Sequence, residues 1–310
     1  MTLWIILVII AQFINAVLSL ADKYVLSTKT VSPLVYAFYI SVLSLFSIVI
    51  FIFGLMLPEV ANTIIPSLKD VTLIPSFAMF LSIINGISFF FSIYFLFKSL
   101  IKNNASDVFP VVGAVSAIGT FVLSFVFFNE VISPNFLISF FLLIVGTILV
   151  SHLRFNRTGL IFSILSGLVF SVYFITGKEI TNEIGFTNGF FWTRVTAGLL
   201  PLTLLFIPRF NKVFLKTNKK VPTTKVSLWM VSIKSLGGLS ALFLFKASEL
   251  GSVSLVQALG GLQFVFLFIF SLLFGHKVHE ALEEGHSPRE FIYKAVAVGI
   301  ISLGLFILFI

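Results

Sequence analysis

Residues 76–97 read SFAMFLSIINGISFFFSIYFLF, a run without a single charge that closes on Lys98. At 1.5 Å per residue such a helix is ~33 Å long, enough to cross a hydrocarbon core of ~30 Å. Its last residues, Phe95-Leu96-Phe97-Lys98, recur as Phe243-Leu244-Phe245-Lys246 at the end of a second apolar run. One stretch therefore carries both readings that decide the fold: the chain lives in a membrane, and it contains a duplication.

Composition agrees. Of 310 residues, 58% are apolar and 10% charged, with 40 Phe, whereas a soluble domain carries ~25% charged residues. Apolar runs of spanning length lie at 2–21, 33–57, 76–97, 106–128 and 134–151, then at 159–177, 186–207, 226–246, 252–275 and 291–310. The runs are long and continuous, without the dyad alternation of barrel strands, so they read as helices. The first run has no basic residue before Asp22-Lys23 and reads as an uncleaved span. The expected fold class is all-α and integral to the membrane, with ten transmembrane helices.

The net charge of +8 is explained by orientation. Most Lys and Arg fall in the loops after the odd-numbered spans, and only Lys69, Lys178 and Lys246 fall on the other side. The connection holding Arg209, Lys212, Lys216, Lys219, Lys220 and Lys225 has no acid. Such a hairpin anchors topology at anionic headgroups rather than binding nucleic acid. This reading places both termini outside.

The duplication extends beyond one tetrapeptide. Asp22-Lys23-Tyr24-Val25 has a counterpart in Gly177-Lys178-Glu179-Ile180, at an offset of 155 against 148 for the Phe-Leu-Phe-Lys motif. The expected halves are 1–155 and 156–310, five helices each. An odd number of spans per repeat inverts the second copy. Inverted repeats place a substrate site at their interface near the midplane, where rocking alternates access.

Several stretches carry a family resemblance. Ala105-Ser106-Asp107-Val108-Phe109-Pro110 through Asn129-Glu130 has a small-residue start, an internal proline and a closing Glu. Phe191-Trp192-Thr193-Arg194 is followed by Ala197-Gly198-Leu199, and Gly251-Ser252-Val253-Ser254 runs on to Phe274-Gly275. With two five-helix halves, the whole chain resembles the drug/metabolite transporter superfamily, EamA type. Tyr39 stands near where that family's first half would show an Arg, and His276 where its second half would show a Glu. The resemblance implies a permease of inverted repeats.

Arg194 and Lys234 are the two basic residues clearly inside predicted spans. A charge at the bilayer centre costs ~3 kcal/mol or more, so both are candidate substrate ligands facing a cavity. Each lies ~12 Å into its span, and because spans 7 and 8 enter from opposite sides the two differ in depth by only ~9 Å. Small residues accompany both: Ala197, Gly198 and Pro201 beside Arg194, and Gly237, Gly238 and Ala241 beside Lys234. Gln12, Asn15 and Ser19 form a polar stripe on span 1. Asn85, Tyr39, Trp192 and Gln257 complete the candidate substrate-binding set. A pair of cations implies a ligand with a carboxylate, such as an amino acid.

Other chemistry is excluded or unsupported. There is no Walker-type loop, no His-Glu-x-x-His and no Gly-x-Ser-x-Gly. The loop His276 to His286 reads as a solvated connector rather than a metal site. No cofactor, metal or catalytic residue is expected, and the protein is not read as an enzyme. With no carboxylate seen at mid-depth, the expectation is facilitated diffusion or exchange of a small organic metabolite. The partners are that substrate and the bilayer, the site closes within a monomer, and the location is the cell (inner or plasma) membrane. A membrane-embedded scaffold or sensor, or a lipid-acting membrane enzyme, is the alternative.

Overall fold

The computed structural model describes residues 2–27, 32–56, 64–103, 105–128, 134–150, 156–218, 224–274 and 288–309. Every regular element among them is helical. The α-helices are α1 (Thr2–Ser27), α2 (Pro33–Leu43), α3 (Val49–Met56), α4 (Ser76–Leu100), α5 (Ala105–Phe128), α6 (Pro134–Val150), α7 (Arg157–Leu199), α8 (Pro208–Asn218), α9 (Thr224–Leu250), α10 (Val253–Ala258), α11 (Leu262–Phe274) and α12 (Pro288–Phe309). Short 3₁₀ turns at Ser44–Ile48, Leu200–Phe206 and Leu259–Gly261 tighten the chain within longer helical runs. Six helical segments are long and apolar enough to cross a membrane: Leu3–Lys23, Pro33–Met56, Ser76–Leu100, Asp107–Phe128, Arg157–Phe206 and Val253–Phe270.

Local sequence explains the starts and breaks. Helices α2, α6, α8 and α12 each open on proline, whose missing N–H would be unbonded in the first turn anyway. Ser32 accepts from the Val35 amide and Ser252 from the Leu255 amide, capping α2 and α10. The 43 residues of α7, if straight, would run ~64 Å, about twice the hydrocarbon thickness. Gly185, at φ 77°, breaks α7 into two arms, a conformation that a Cβ would disfavour.

The polarity is turned inside out relative to a soluble protein. Phe53, Phe77, Phe80, Phe125 and Phe141 are exposed, whereas Ser82, Ser92, Ser99, Ser163 and Ser166 are buried. The buried hydroxyls join helices. Ser166 donates to the Ser92 carbonyl, and the Ser99 and Ser163 hydroxyls pair at 2.7 Å, tying α4 to the first arm of α7. Small residues let backbones approach. A Cβ on Gly86 would lie 2.9 Å from the Ala197 nitrogen, and one on Gly146 would lie 3.1 Å from the Ala297 carbonyl oxygen. Helix α1 packs on α9 and α11, α5 on α7 and α10, and α6 on α12. The whole is an all-α protein of membrane character.

Candidate functional site

A cavity of about 300 Å³ lies where α1, α2, α4, α5, α7, α9 and α11 converge. Of the sequence-predicted site residues, Arg194, Gln12, Asn15 and Gln257 line it.

Arg194 comes from the second arm of α7 and is only 2% exposed. Its guanidinium sits within 5.4–5.8 Å of the ring centroids of Phe89, Tyr173, Phe190 and Phe245. Nη2 donates to the Tyr173 hydroxyl at 2.5 Å. Nε is buried and has no hydrogen-bond partner, and among the described residues Arg194 forms no ion pair. Ring faces attract a cation by ~0.5–2 kcal/mol each, which holds the group without satisfying its donors. The result is a desolvated cation on the cavity wall that carries no counter-charge among the described residues.

The opposite chemistry comes from α1. Asn15 donates to the Gln12 side chain at 3.2 Å and accepts from Ser240 at 2.7 Å. Ser19 donates to the Asn15 carbonyl and accepts from Gln263. The polar stripe thus joins α1 to α9 and α11 while lining the cavity. Helix α1 continues to Ser27, six residues past the predicted end of span 1, which brings Asp22 into the helix and onto the cavity wall. Asp22 is 9% exposed and accepts from the Tyr36 hydroxyl at 2.6 Å. Asp22, which next to Lys23 reads in the sequence as the charged margin of span 1, is drawn onto the wall because the helix passes through it.

Three candidates lie elsewhere than the cavity wall. Asn85 donates to the Tyr173 carbonyl at 2.7 Å and to Thr176 at 3.0 Å, a tie between α4 and α7. Tyr39 packs against Phe38 and Phe214. Trp192 donates to the Thr72 carbonyl at 3.0 Å. The side chain of Lys234, Glu130 and the loop 276–286 lie outside the described residues.

Residues lining the cavity recur at nearly constant sequence offsets. On α1 and the first arm of α7, Asn15, Leu18 and Ser19 line it, as do Phe170, Tyr173 and Phe174 at an offset of 155. On α4 and α9, Phe89, Ile93, Leu96 and Phe97 line it, as do Gly237, Ala241, Leu244 and Phe245 at an offset of 148. Gly113 and Ser116 of α5 have Gly260 and Gln263 at an offset of 147. Outside the cavity, Lys23 Nζ donates to the Leu100 carbonyl and Lys178 Nζ to the Ser248 carbonyl. Those lysines are 155 apart and those carbonyls 148 apart.

No protein-family model matches the chain, and no curated protein matches it. The fold has a counterpart among solved structures. One crystal structure, described only as that of a protein, superposes with a TM-score of 0.61 over 97% of this chain and 95% of its own, at 13% identity. At that identity the likeness concerns the fold alone.

Proposed function

We propose that the chain is a multi-pass permease of the drug/metabolite transporter type, with ten spans in two inverted five-helix repeats. It moves a small organic metabolite bearing a carboxylate across the cell membrane by alternating access, in facilitative or exchange mode, with the site closed within one chain. The duplication is supported by the three offsets that map one set of cavity-lining residues onto the other. It is supported again by Lys23 and Lys178, which bond equivalent carbonyls in the two halves. The helix pairs also exchange consistently: α1 packs on α9 as α7 packs on α4, and α6 and α12, the fifth spans, pack on each other. A cavity on the axis of such a repeat is where a transporter holds its substrate.

The observation that carries the substrate class is Arg194, a cation that lines that cavity and forms no ion pair among the described residues. A structural clamp would use its N–H groups on protein acceptors. The test is uptake of labelled carboxylates into liposomes containing purified protein. Arg194→Gln is expected to abolish saturable uptake while the protein still inserts and unfolds cooperatively. Unchanged uptake by that variant would reduce Arg194 to a structural role. The coupling mode follows from Asp22 lying in the last turns of α1 rather than at its middle. Strong acceleration of uptake by an imposed proton gradient would overturn it.

A further inference from the structure

Phe89, Phe170, Tyr173, Phe174 and Phe245 line the cavity and form one connected set of rings. Tyr173 stands at its centre, with centroids 5.5 Å from Phe89, 6.3 Å from Phe170, 4.9 Å from Phe174 and 6.1 Å from Phe245. Phe89, Tyr173 and Phe245 also surround the Arg194 guanidinium. Phe170 and Phe174, one turn apart on α7 and 6.2 Å from each other, stand one ring removed from that charge. Both are only partly buried, so packing does not consume their whole surface. The abundance of Phe in the chain does not account for this placement. The residues 155 positions before Phe170, Tyr173 and Phe174 are Asn15, Leu18 and Ser19, which line the same cavity without a ring.

We propose that the site selects carboxylates bearing one aromatic ring, with the carboxylate at Arg194 and the ring against Phe170 and Phe174. The proposal rests on the reading of Arg194 as an anion-binding residue and adds the chemistry of the ligand's other end. Aromatic pairs prefer edge-to-face or offset contacts with centroids about 4.5–7 Å apart, and these are worth more than the area they bury. A saturated ring gains the area alone. The set already shows this geometry, since Tyr173 meets Phe170 at 78° and Phe174 at 73°. A ligand ring adds one member to an existing pattern. The cavity volume of about 300 Å³ lies at the lower end of the ~300–1,000 Å³ of small-molecule sites, which favours a single ring over a larger fused system.

Binding to the purified full chain by calorimetry tests this with two pairs of acids that differ only in the ring. Phenylacetate is set against cyclohexylacetate, and 3-phenylpropanoate against 3-cyclohexylpropanoate. In at least one pair the aromatic acid should bind at least about threefold more tightly, although the saturated ring offers no less area to bury. That acid should also bind at least about tenfold more tightly than its neutral alcohol, 2-phenylethanol or 3-phenylpropan-1-ol. Phe170→Leu combined with Phe174→Leu should bring the phenyl-to-cyclohexyl ratio to about one, and Arg194→Gln should abolish binding of every acid. Ratios below about threefold in both pairs, with the acids still far tighter than the alcohols, would overturn the aromatic proposal and leave the anion reading standing. Acids less than about tenfold tighter than their alcohols, or no binding by any acid, would overturn both. A ratio that survives in the double Leu variant would remove these two rings from the site and overturn the proposal as well. The wild-type ratios decide the matter even where that variant fails to fold.

Discussion

Two cavity-lining helices, α1 and the first arm of α7, differ at positions 155 residues apart. Asn15 and Ser19 of α1 present amide and hydroxyl groups to the cavity, whereas Phe170 and Phe174 present rings, and Leu18 is matched by Tyr173. Helices α4 and α9 differ in the other direction, with Phe89 on α4 matched at an offset of 148 by Gly237 on α9. Under the proposed duplication, α1 and the first arm of α7 aim the same positions at one space, one bringing polar groups and the other rings, of which Tyr173 touches Arg194. Lys23 and Lys178, by contrast, make the same kind of bond, each to a carbonyl near a helix end.

The largest expected effect is on the aromatic side. Replacing Arg194 by Gln removes a buried charge whose proposed ligand contact would be worth roughly 2–5 kcal/mol, so uptake efficiency should fall about 30- to 4,000-fold. Tyr173→Phe removes the one hydrogen bond that orients the guanidinium. A hydrogen bond to a charged group is worth ~1.5–3 kcal/mol, and the loss should appear in KM for the carboxylate with thermal stability little changed. Equal kinetics for Tyr173→Phe and wild type would mean that the rings alone hold Arg194.

The frame should respond in stability instead. Gly86→Ala forces a Cβ against the Ala197 backbone, and overpacking of this kind costs ~1–3 kcal/mol, read as a lower Tm in detergent. Asn85→Ala should cost ~0.6 kcal/mol of interhelical bonding and leave KM unchanged, because the residue ties α4 to α7 away from the cavity. The smallest effect belongs to the polar wall. Asn15→Ala leaves Gln12 and Gln263 in place, so KM should shift by less than about threefold. A larger loss for Asn15 than for Tyr173 would reverse the assignment of the two walls.

The helical class and membrane character were legible because apolar runs of spanning length have few other interpretations. The predicted spans end at 177 and resume at 186, whereas α7 stays helical through 178–184 and breaks only at Gly185. The end of α1 was not. Asp22-Lys23 looks like the usual charged margin of a span, yet α1 passes through it and buries both residues. The housing of Arg194 had no local signal at all, because Phe89, Tyr173 and Phe245 arrive from α4, α7 and α9. Among so many Phe residues, only the three-dimensional approach distinguishes these rings from lipid-facing ones. Asn85 shows the converse: a buried amide in a span is as readily a helix tie as a ligand.

The central claim is that two inverted halves share one cavity that opens to each side of the membrane in turn. The chain contains no cysteine, so single cysteines can be introduced without altering its background. Ser116→Cys and Gln263→Cys mark equivalent positions of the two halves on the cavity wall. Labelling each with a membrane-impermeant thiol reagent, applied from one side of the liposome at a time, reads access directly. Each cysteine should be labelled from both sides and protected by a transported carboxylate. Labelling of each from one side only, unaffected by substrate, would contradict alternating access.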